Sequence, residues 1–364
     1  MQTLCERLGI RYPIIQAPMA GGPTTPELVA AVSNAGGLGS FGLASTQPGD
    51  MRELIQRARA LTNGPINANL FIYPESRTPD DAIVDAAIDA LKPYFSALGA
   101  EPPSGVPAPY APDFAAQLDC LFDLRPEVVT FHLAAPEAAL VGRLQAAGMV
   151  VGASATSPAE ARALLVSGVD FIVAQGAEAG GHRGTFLGDT ESGMVGTMAL
   201  TRLLVAEMRD HGTSVVAAGG IMDGAGMAAA MALGAAGVQL GTAFLACPES
   251  GASPVHKAAL ATAGEVGTRI THHFSGKPAR TVTNRFAIDS AARSLPYLPF
   301  PVQNKLTGGL RAASARAGTG DFMSLWAGQA AALVRDLPAA DLMARLLQEY
   351  DTARAALPDL QGNG

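Results

Sequence analysis

Short apolar runs alternate with amphipathic stretches along the first two thirds of the chain. Each apolar run is three to six residues long and ends in turn-forming residues, which is typical of buried strands. The predicted strands are 13–16, 38–41, 66–71, 128–132, 149–153, 171–175, 214–217 and 238–240. The stretches between them carry apolar residues three and four positions apart and predict helices. These helices run from Thr25 to before Gly36, and over 51–61, 80–91, 113–121, 136–147, 157–167, 198–211 and 224–233.

Strands that alternate with helices pair in parallel, and eight such units favour a closed (β/α)8 barrel over a doubly wound open sheet. The alternation breaks at residues 73–125, a proline-rich excursion that we assign to the barrel part of the chain, residues 1–250. After about Gly251 no further strand is predicted. We expect residues 251–364 to form a C-terminal cap or substrate subdomain, with a Pro/Tyr-rich stretch at 294–303 and helices over 322–356 that pack back on the barrel.

Composition narrows the class of protein. The 364 residues carry 25 Lys and Arg against 32 Asp and Glu, a formal net charge of −7 that gives no basic surface for nucleic acid. No apolar run approaches the ~20 residues that cross a bilayer. The cysteines, Cys5, Cys120 and Cys247, are odd in number and far apart, so neither a disulfide framework nor a metal site is expected. We expect a cytoplasmic protein without a membrane partner.

The end of the predicted sixth strand carries the strongest chemical signal. The segment Gln175–Gly184 holds four glycines, an acid, a histidine and an arginine. Glycine lets main-chain N–H groups approach a phosphate closely. Similar glycine-rich ends follow the next two strands at Gly219-Gly220 and Gly241-Thr242, and barrels typically hold phosphate after strands seven and eight. The pattern predicts a phosphorylated cofactor.

These segments and several others resemble one enzyme family, the nitronate monooxygenases, once called 2-nitropropane dioxygenases, and in particular its class I. The resemblance extends over nearly the whole chain. The matching segments are Gln16–Gly22, Asn69–Phe71, Phe131-His132, Gln175–Gly184, Ala218–Ile221, Gln239–Phe244 and Leu325–Gln329.

The resemblance implies an FMN enzyme that oxidises alkyl nitronates with O2 to a carbonyl compound and nitrite. The implied route passes through a flavin semiquinone and needs no nicotinamide, and we expect a monomer or homodimer. By motif position, the residues implied to contact FMN are Ala17, Pro18, Met19, Asn69, Gln175, Gly180, Gly181, Gly219, Gly220, Gln239, Leu240, Gly241 and Thr242.

His132 is the residue that we expect to carry the chemistry. It ends a predicted barrel strand and follows a phenylalanine, as the matching histidine does in the family, and imidazole titrates near neutral pH. It would hydrogen-bond the nitro oxygens of a nitronate or remove the α-proton of a nitroalkane. We assign His182, in the glycine loop, to loop order or to the phosphate side together with Arg183.

The resemblance also implies a substrate pocket that contains tyrosines and a lysine. The candidates are Tyr110 in the excursion, Tyr297 in the Pro/Tyr-rich stretch, and Lys305. A lysine ammonium there would favour a nitronate with a second negative charge, such as propionate 3-nitronate.

Two other functions stay open at this point. One is an FMN-dependent NAD(P)H reductase of enoyl thioesters or quinones, which would share the glycine loop. The Phe131-His132 pair and the segments around Tyr110 and Tyr297 argue against it. The other is a non-catalytic module that binds a flavin or a phosphate.

Overall fold

A computed structural model describes residues 2–74 and 79–356. Its strands are β1 (Ile14–Gln16), β2 (Gly39–Gly42), β3 (Ile66–Phe71), β4 (Val128–His132), β5 (Val150–Ala155), β6 (Phe171–Gln175), β7 (Gly181–His182), β8 (Ser214–Ala218), β9 (Gly237–Leu240), β10 (Thr268–Thr271) and β11 (Ala279–Val282). Eight of them form one parallel sheet in the order β1-β9-β8-β6-β5-β4-β3-β2.

The sheet closes on itself between its first and last strands. Leu38, next to β2, donates its N–H to the carbonyl of Ile14 at 3.0 Å, and Gln16 donates its N–H to the carbonyl of Leu38 at 3.0 Å. A parallel bridge joins Ile15 to Leu38. The predicted (β/α)8 barrel is therefore confirmed, with each predicted strand found within two residues of its expected bounds.

Helices surround the barrel and continue into the C-terminal segment. They are α1 (Leu4–Leu8), α2 (Pro26–Asn34), α3 (Pro48–Leu61), α4 (Asp81–Ala97), α5 (Phe114–Leu124), α6 (Ala138–Ala146), α7 (Pro158–Ser167), α8 (Thr197–Met208), α9 (Gly224–Ala232), α10 (Thr242–Leu245), α11 (Pro254–Ala261), α12 (Ala263–Val266), α13 (Arg285–Ala292), α14 (Val302–Leu306), α15 (Gly308–Arg316) and α16 (Ala339–Ala355), with a 3-10 turn at Ala331–Leu333.

Short polar residues begin several barrel helices. The Thr25 hydroxyl accepts the N–H of Leu28 at 3.0 Å, and the Asp223 carboxylate accepts the N–H of Gly226 at 2.8 Å. Such caps satisfy N–H groups that have no partner within the helix and fix where the helix begins. Each strand end is thereby followed by a loop of defined length, which positions the residues at the barrel mouth.

The last helix of the chain completes the outer ring. α16 packs against α9 and α2, and its Leu342, Met343 and Leu346 join the apolar core around Leu28 and Met227. The prediction of helices over 322–356 is wrong at its start, since the α-helix begins only at Ala339. Pro338 precedes it, and the preceding segment holds only the 3-10 turn.

The chain beyond Gly251 contains two strands, so the expectation that strands end there is wrong. β10 and β11 pair antiparallel, and β11 also pairs with β7 inside the glycine loop, where Arg280 lies opposite Gly181. Each of these strands has only four residues, too few for a clear period of two in the sequence. Their pairing ties the C-terminal segment to the loop after β6.

The excursion packs with the C-terminal segment. Leu91 and Phe95 of α4 share an apolar cluster with Phe286 of α13, Leu310 of α15 and Phe322. Two parts of the chain that lie far apart in sequence thus form one core beside the barrel. Within the described residues, no helix has the length and hydropathy that crossing a membrane requires.

α2 packs so closely on the barrel at Gly39 that no side chain fits between them. A Cβ at Gly39 would lie 2.1 Å from the carbonyl oxygen of Val29, whereas a Cβ at Gly142, an exposed position of α6, would meet nothing within 4 Å. We predict that Gly39→Ala lowers the free energy of unfolding by about 1–3 kcal/mol. Gly142→Ala should raise it by about 0.5–1 kcal/mol. Urea unfolding followed by circular dichroism measures both, and equal effects would contradict the packing.

Candidate active site

A cavity of about 430 Å³ lies at the carboxyl ends of the barrel strands. This is the size of a small-molecule site, at the end of the barrel where such sites occur. It brings together most of the residues predicted from the sequence. Those that line it are Ala17, Pro18, Met19, Asn69, His132, Gln175, Gly180, Gly181, Gly219, Gly220, Gln239, Gly241 and Thr242.

Leu240 is the predicted cofactor residue that does not line the cavity. Its side chain is 1% exposed and belongs to the apolar core beneath the mouth. Its carbonyl oxygen accepts the N–H of Ala17 at 2.8 Å. Leu240 therefore acts on the cavity through its main chain, by holding the loop after β1.

The ends of β6 and β8 have backbone that only glycine fits. Gly219 and Gly220 have φ values of 119° and 70°, in the left-handed region. A Cβ on Gly180 would lie 2.5 Å from the carbonyl carbon of Ala327. Because these residues carry no side chains, their main-chain groups face the cavity directly, as phosphate-binding turns require.

Side-chain hydrogen bonds order the loop after β6. The Gln175 amide accepts the N–H of Gly184 at 2.7 Å and donates to the carbonyl of His182 at 2.9 Å. Arg183 is 5% exposed and donates to the carbonyls of Gly193 and Gln175. Both the oxygen and the nitrogen of the Gln175 amide are thus hydrogen-bonded within the loop, and the residue also lines the cavity.

Glu160, at the start of α7, holds the far end of this loop. Its fully buried carboxylate accepts the N–H groups of Thr156, Phe186 and Leu187 at 2.6, 2.5 and 2.9 Å. It also accepts the Thr156 hydroxyl at 2.7 Å. Several N–H donors to one carboxylate offset the cost of burying its charge.

Glu178 caps α8 from within the loop. Its carboxylate accepts the N–H and the hydroxyl of Thr197, both at 2.8 Å, while the helix's own N-cap residue, Gly196, has no side chain. A carboxylate at a helix N-terminus also interacts favourably with the helix dipole. The loop is therefore fixed to α7 at one end and to α8 at the other.

Both ring nitrogens of His132 are engaged by the protein. Nδ1 contacts the Ser154 hydroxyl, and Nε2 lies 3.2 Å from the carbonyl oxygen of His182. Because a carbonyl only accepts, we assign the proton to Nε2, and Nδ1 then accepts from Ser154. Burial lowers the pKa of His132 to about 4, so the ring is neutral at pH 7. This imidazole, which the sequence predicts to contact substrate, is occupied in holding His182.

His182 presents the free nitrogen. Its Nε2 is buried and has no hydrogen-bond partner among the described residues. Its ring lies among Phe71, Phe300 and Trp326, at centroid distances of 5.9, 5.3 and 5.4 Å. Burial, and to a smaller extent the neighbouring His132, Lys277 and Arg311, lower the pKa of His182 to about 3. The carboxyl-end rule for barrels points to this loop as well as to His132.

Three predicted substrate residues lie outside the cavity lining. Tyr110 packs at the edge of the cluster around α4. Tyr297 is 42% exposed and contacts His272 and His273. Lys305 is exposed and donates to the carbonyl of Pro109. The structure thus gives these side chains surface and packing contacts, and their proposed role in substrate binding stays a prediction.

Tyr73 and residues of the C-terminal segment line the cavity in place of the predicted substrate residues. Tyr73 stacks on Phe300 with centroids 5.4 Å apart, and its hydroxyl donates to the carbonyl of Ala44 at 3.0 Å. Burial raises the pKa of Tyr73. Trp326, Asn304 and Arg311 come from the C-terminal segment. Tyr73 follows β3 closely enough to be found by the strand-end rule, whereas nothing in the sequence marks Asn304 or Arg311.

The buried histidines should make the stability of the fold depend on pH. Burial lowers the pKa values of His132, His182 and His256 to about 4, 3 and 4. The unfolded chain, with histidine near pKa ~6.5, binds more protons below that pH, so stability is complete above it and falls toward pH 4. We predict that His182→Asn makes this fall shallower by up to about 1.4 kcal/mol per pH unit. Exposed His211→Asn is the control; identical slopes in urea unfolding would contradict the burial of His182.

Comparison with known proteins agrees with this geometry. Curated nitronate monooxygenases from Pseudomonas aeruginosa and Paraburkholderia phytofirmans are 46% and 44% identical to the chain, over 94% and 96% of it and 97% and 94% of their own lengths. The solved structure of a nitroalkane oxidase from Streptomyces ansochromogenes superposes with a TM-score of 0.86 at 39% identity, covering 96% of this chain and 98% of that one.

A second solved structure shares the fold at greater distance. FabK from Thermotoga maritima has a TM-score of 0.75 and 28% identity, over 98% of both chains. The family model for nitronate monooxygenase matches residues 2–349, which include every strand and the whole cavity. With its barrel and its glycine-rich strand ends, the chain belongs to the nitronate monooxygenases, a family of flavin-dependent oxidoreductases.

Proposed function

We propose that this chain binds FMN and oxidises anionic alkyl nitronates with O2 to a carbonyl compound and nitrite. The observation that carries the proposal is one cavity lined both by glycine main chain after β8 and β9 and by His182, a neutral imidazole within an aromatic wall. Membership of the family gives the type of reaction. Propionate 3-nitronate, and the one-electron route that the resemblance implies, stay predictions.

The residues present fit an FMN. Main-chain groups at Gly219, Gly220, Gly241 and Thr242 would hold the phosphate, at the two strand ends where barrels commonly bind one. Gln239 would meet the polar edge of the ring system with an amide that offers both donors and acceptors, and Asn69, whose Nδ2 donates to Thr130, would add an acceptor oxygen. When bound, the flavin supplies the redox chemistry, and the protein supplies binding and orientation.

His182 is the side chain that we propose to contact the nitronate. A neutral imidazole carries one N–H and can donate it to an anionic oxygen. With a pKa of about 3, the ring is a weak proton acceptor and is poorly matched to removing an α-proton at neutral pH. The site therefore favours a substrate that is already ionised over a neutral nitroalkane.

His132 is then a positioning residue. Its Nε2–H lies 3.2 Å from the carbonyl of His182, and Gln175 donates to the same oxygen at 2.9 Å. Two donors on one carbonyl fix the main chain at His182 and hence the origin of its side chain. This role differs from the direct contact that the sequence predicts for His132.

The second candidate is a reduced-nicotinamide-dependent flavin reductase. The glycine loop is compatible with this function as well, and the barrel of this chain is similar to that of FabK over 98% of both chains. The two functions differ in what reduces the flavin, and a single preparation distinguishes them.

The test of function compares electron donors on the purified protein. We predict a yellow protein that releases nitrite from ethyl nitronate or propionate 3-nitronate in air, at least about 100-fold faster than from neutral nitroethane, since general-base catalysis typically contributes that much or more. Under limited oxygen, NADH and NADPH should leave the flavin absorbance unchanged. Bleaching by either nucleotide without nitrite release from nitronates would support the reductase instead.

The test of the site uses two histidine variants. We predict that His182→Asn lowers kcat/KM for ethyl nitronate by about 10- to 150-fold, the value of a hydrogen bond to a charged group. His132→Asn should cause a smaller loss, because His182 is still present, and exposed His211→Asn should cause none. Nitrite assay gives the rates, and absorbance confirms that flavin content is unchanged. A loss confined to His132→Asn would return the substrate contact to His132.

A further inference from the structure

Arg311, on α15, lines the cavity. α15 packs against α4, the helix that follows β3. In the closed barrel, β3 and β8 are separated by three strands in either direction. Arg311 therefore belongs to the aromatic side of the mouth, with Tyr73 and Phe300, and lies across the barrel from the proposed phosphate position.

The guanidinium of Arg311 has little protein to bind. Its Nη2 donates to the main-chain and side-chain oxygens of Asn304 at 2.6 and 3.0 Å. Its Nε is buried without a partner, and no carboxylate among the described residues forms an ion pair with it. Nε and Nη1 thus have no acceptor within the described part of the chain, whereas Nη2 is held by Asn304.

Two other buried arginines, unlike Arg311, have nearby carboxylates that compensate their charge. Arg183 donates to the carbonyls of Gly193 and Gln175, and Glu160 and Glu178 are near enough to raise its pKa. Arg280 donates twice to the carbonyl of Ala177, and Glu178 raises its pKa in turn. Burial alone acts on Arg311 and lowers its pKa to about 10, so it stays charged at neutral pH without a compensating acid.

A buried cation without a counter-charge is costly, because it has lost its hydration without gaining a partner. A partner that arrives from outside removes this cost. The free N–H groups of Nη1 can donate to an oxygen of a planar oxyanion, and the guanidinium adds the attraction of its charge. The positive charge of Arg311 also reaches His182, since it is one of the causes that lower the pKa of that histidine.

We propose that Arg311, supported by Asn304, is the anion-binding residue of the substrate pocket, and that its Nη1 group donates to an oxygen of a planar nitronate. This rests on the proposed function for the identity of the anion. The nitronate then lies between the guanidinium and the N–H of His182, with its alkyl carbon toward Phe71, Tyr73 and Phe300. The surrounding rings exclude water, which strengthens the charge interaction. Nitrite, also planar and anionic, binds the same group as product.

The sole tryptophan of the chain makes this measurable without turnover. Trp326 lines the cavity, 5.4 Å from His182 between ring centroids. Nitrate is planar and anionic and resembles the nitronate head, and acetamide is a neutral planar control. We expect nitrate, but not acetamide, to change the Trp326 emission and the flavin absorbance of the holoenzyme in a saturable way. Equal responses to the two compounds would overturn the proposal.

Substitutions at two positions of α15 test whether Arg311 is the residue that binds nitrate. Arg311→Met should weaken nitrate binding by about 10- to 150-fold and raise KM for ethyl nitronate more than it changes kcat. Arg311→Lys should lie between, because it keeps the charge but loses the Nη1 group. Arg316→Met, exposed on the same helix, is the control and should match the wild type.

Three results would overturn the assignment. Unchanged nitrate affinity in Arg311→Met would remove Arg311 from anion binding. Loss of flavin from Arg311→Met at normal thermal stability would assign the residue to the flavin phosphate. If Arg311→Met does not fold, full nitrate affinity in Arg311→Lys would show that the Nη1 group is not used. Nitrate binding needs no nitrite release, so a failed nitronate assay would remove the proposed function and leave this measurement intact.

Discussion

The site depends on one constraint: the buried main-chain N–H and C=O groups of the loop after β6 need hydrogen-bond partners. An irregular segment beside a cavity exposes N–H and C=O groups that neither a helix nor a sheet can pair, and each unpaired group costs free energy. Here the side chains of Glu160, Gln175 and Arg183 supply the partners, and β11 supplies a strand. The positions of His182 and of the adjacent glycines follow from these bonds.

The barrel could be predicted because its signal is local. Each strand is a short apolar run and each helix has a periodic face, so the period changes at nearly every boundary. The pairing of β7, β10 and β11 could not be predicted in the same way. These strands have two or four residues, and they exist because the C-terminal segment lies across the loop, which is a tertiary fact. The late start of α16 has a similar origin, since Leu325 and Ala327 bury themselves in irregular backbone.

Site residues at the strand ends could be predicted from the sequence, whereas site residues elsewhere in the chain could not. Asn69, His132, Gln175 and Gly219 line the cavity because a parallel barrel gathers the carboxyl ends of its strands. The same rule reaches His182, but the sequence does not show which histidine keeps a free nitrogen, because that depends on Ser154 and on a carbonyl across the mouth. Arg311 lies on a helix far along the chain, and its place depends on how α15 meets α4.

The contact between the loop and the C-terminal segment has a consequence for biosynthesis. Gln329 donates its N–H to the carbonyl of Glu178 at 2.8 Å, and Gly328 donates to the Thr242 hydroxyl at 2.8 Å. A nascent chain can have released all its barrel strands from the ribosome and still lack these donors, the partner strand β11 and the outer helix α16. Domains fold as units during translation. The loop after β6 therefore gains its final hydrogen-bond partners only once residues 279–329 have been synthesised.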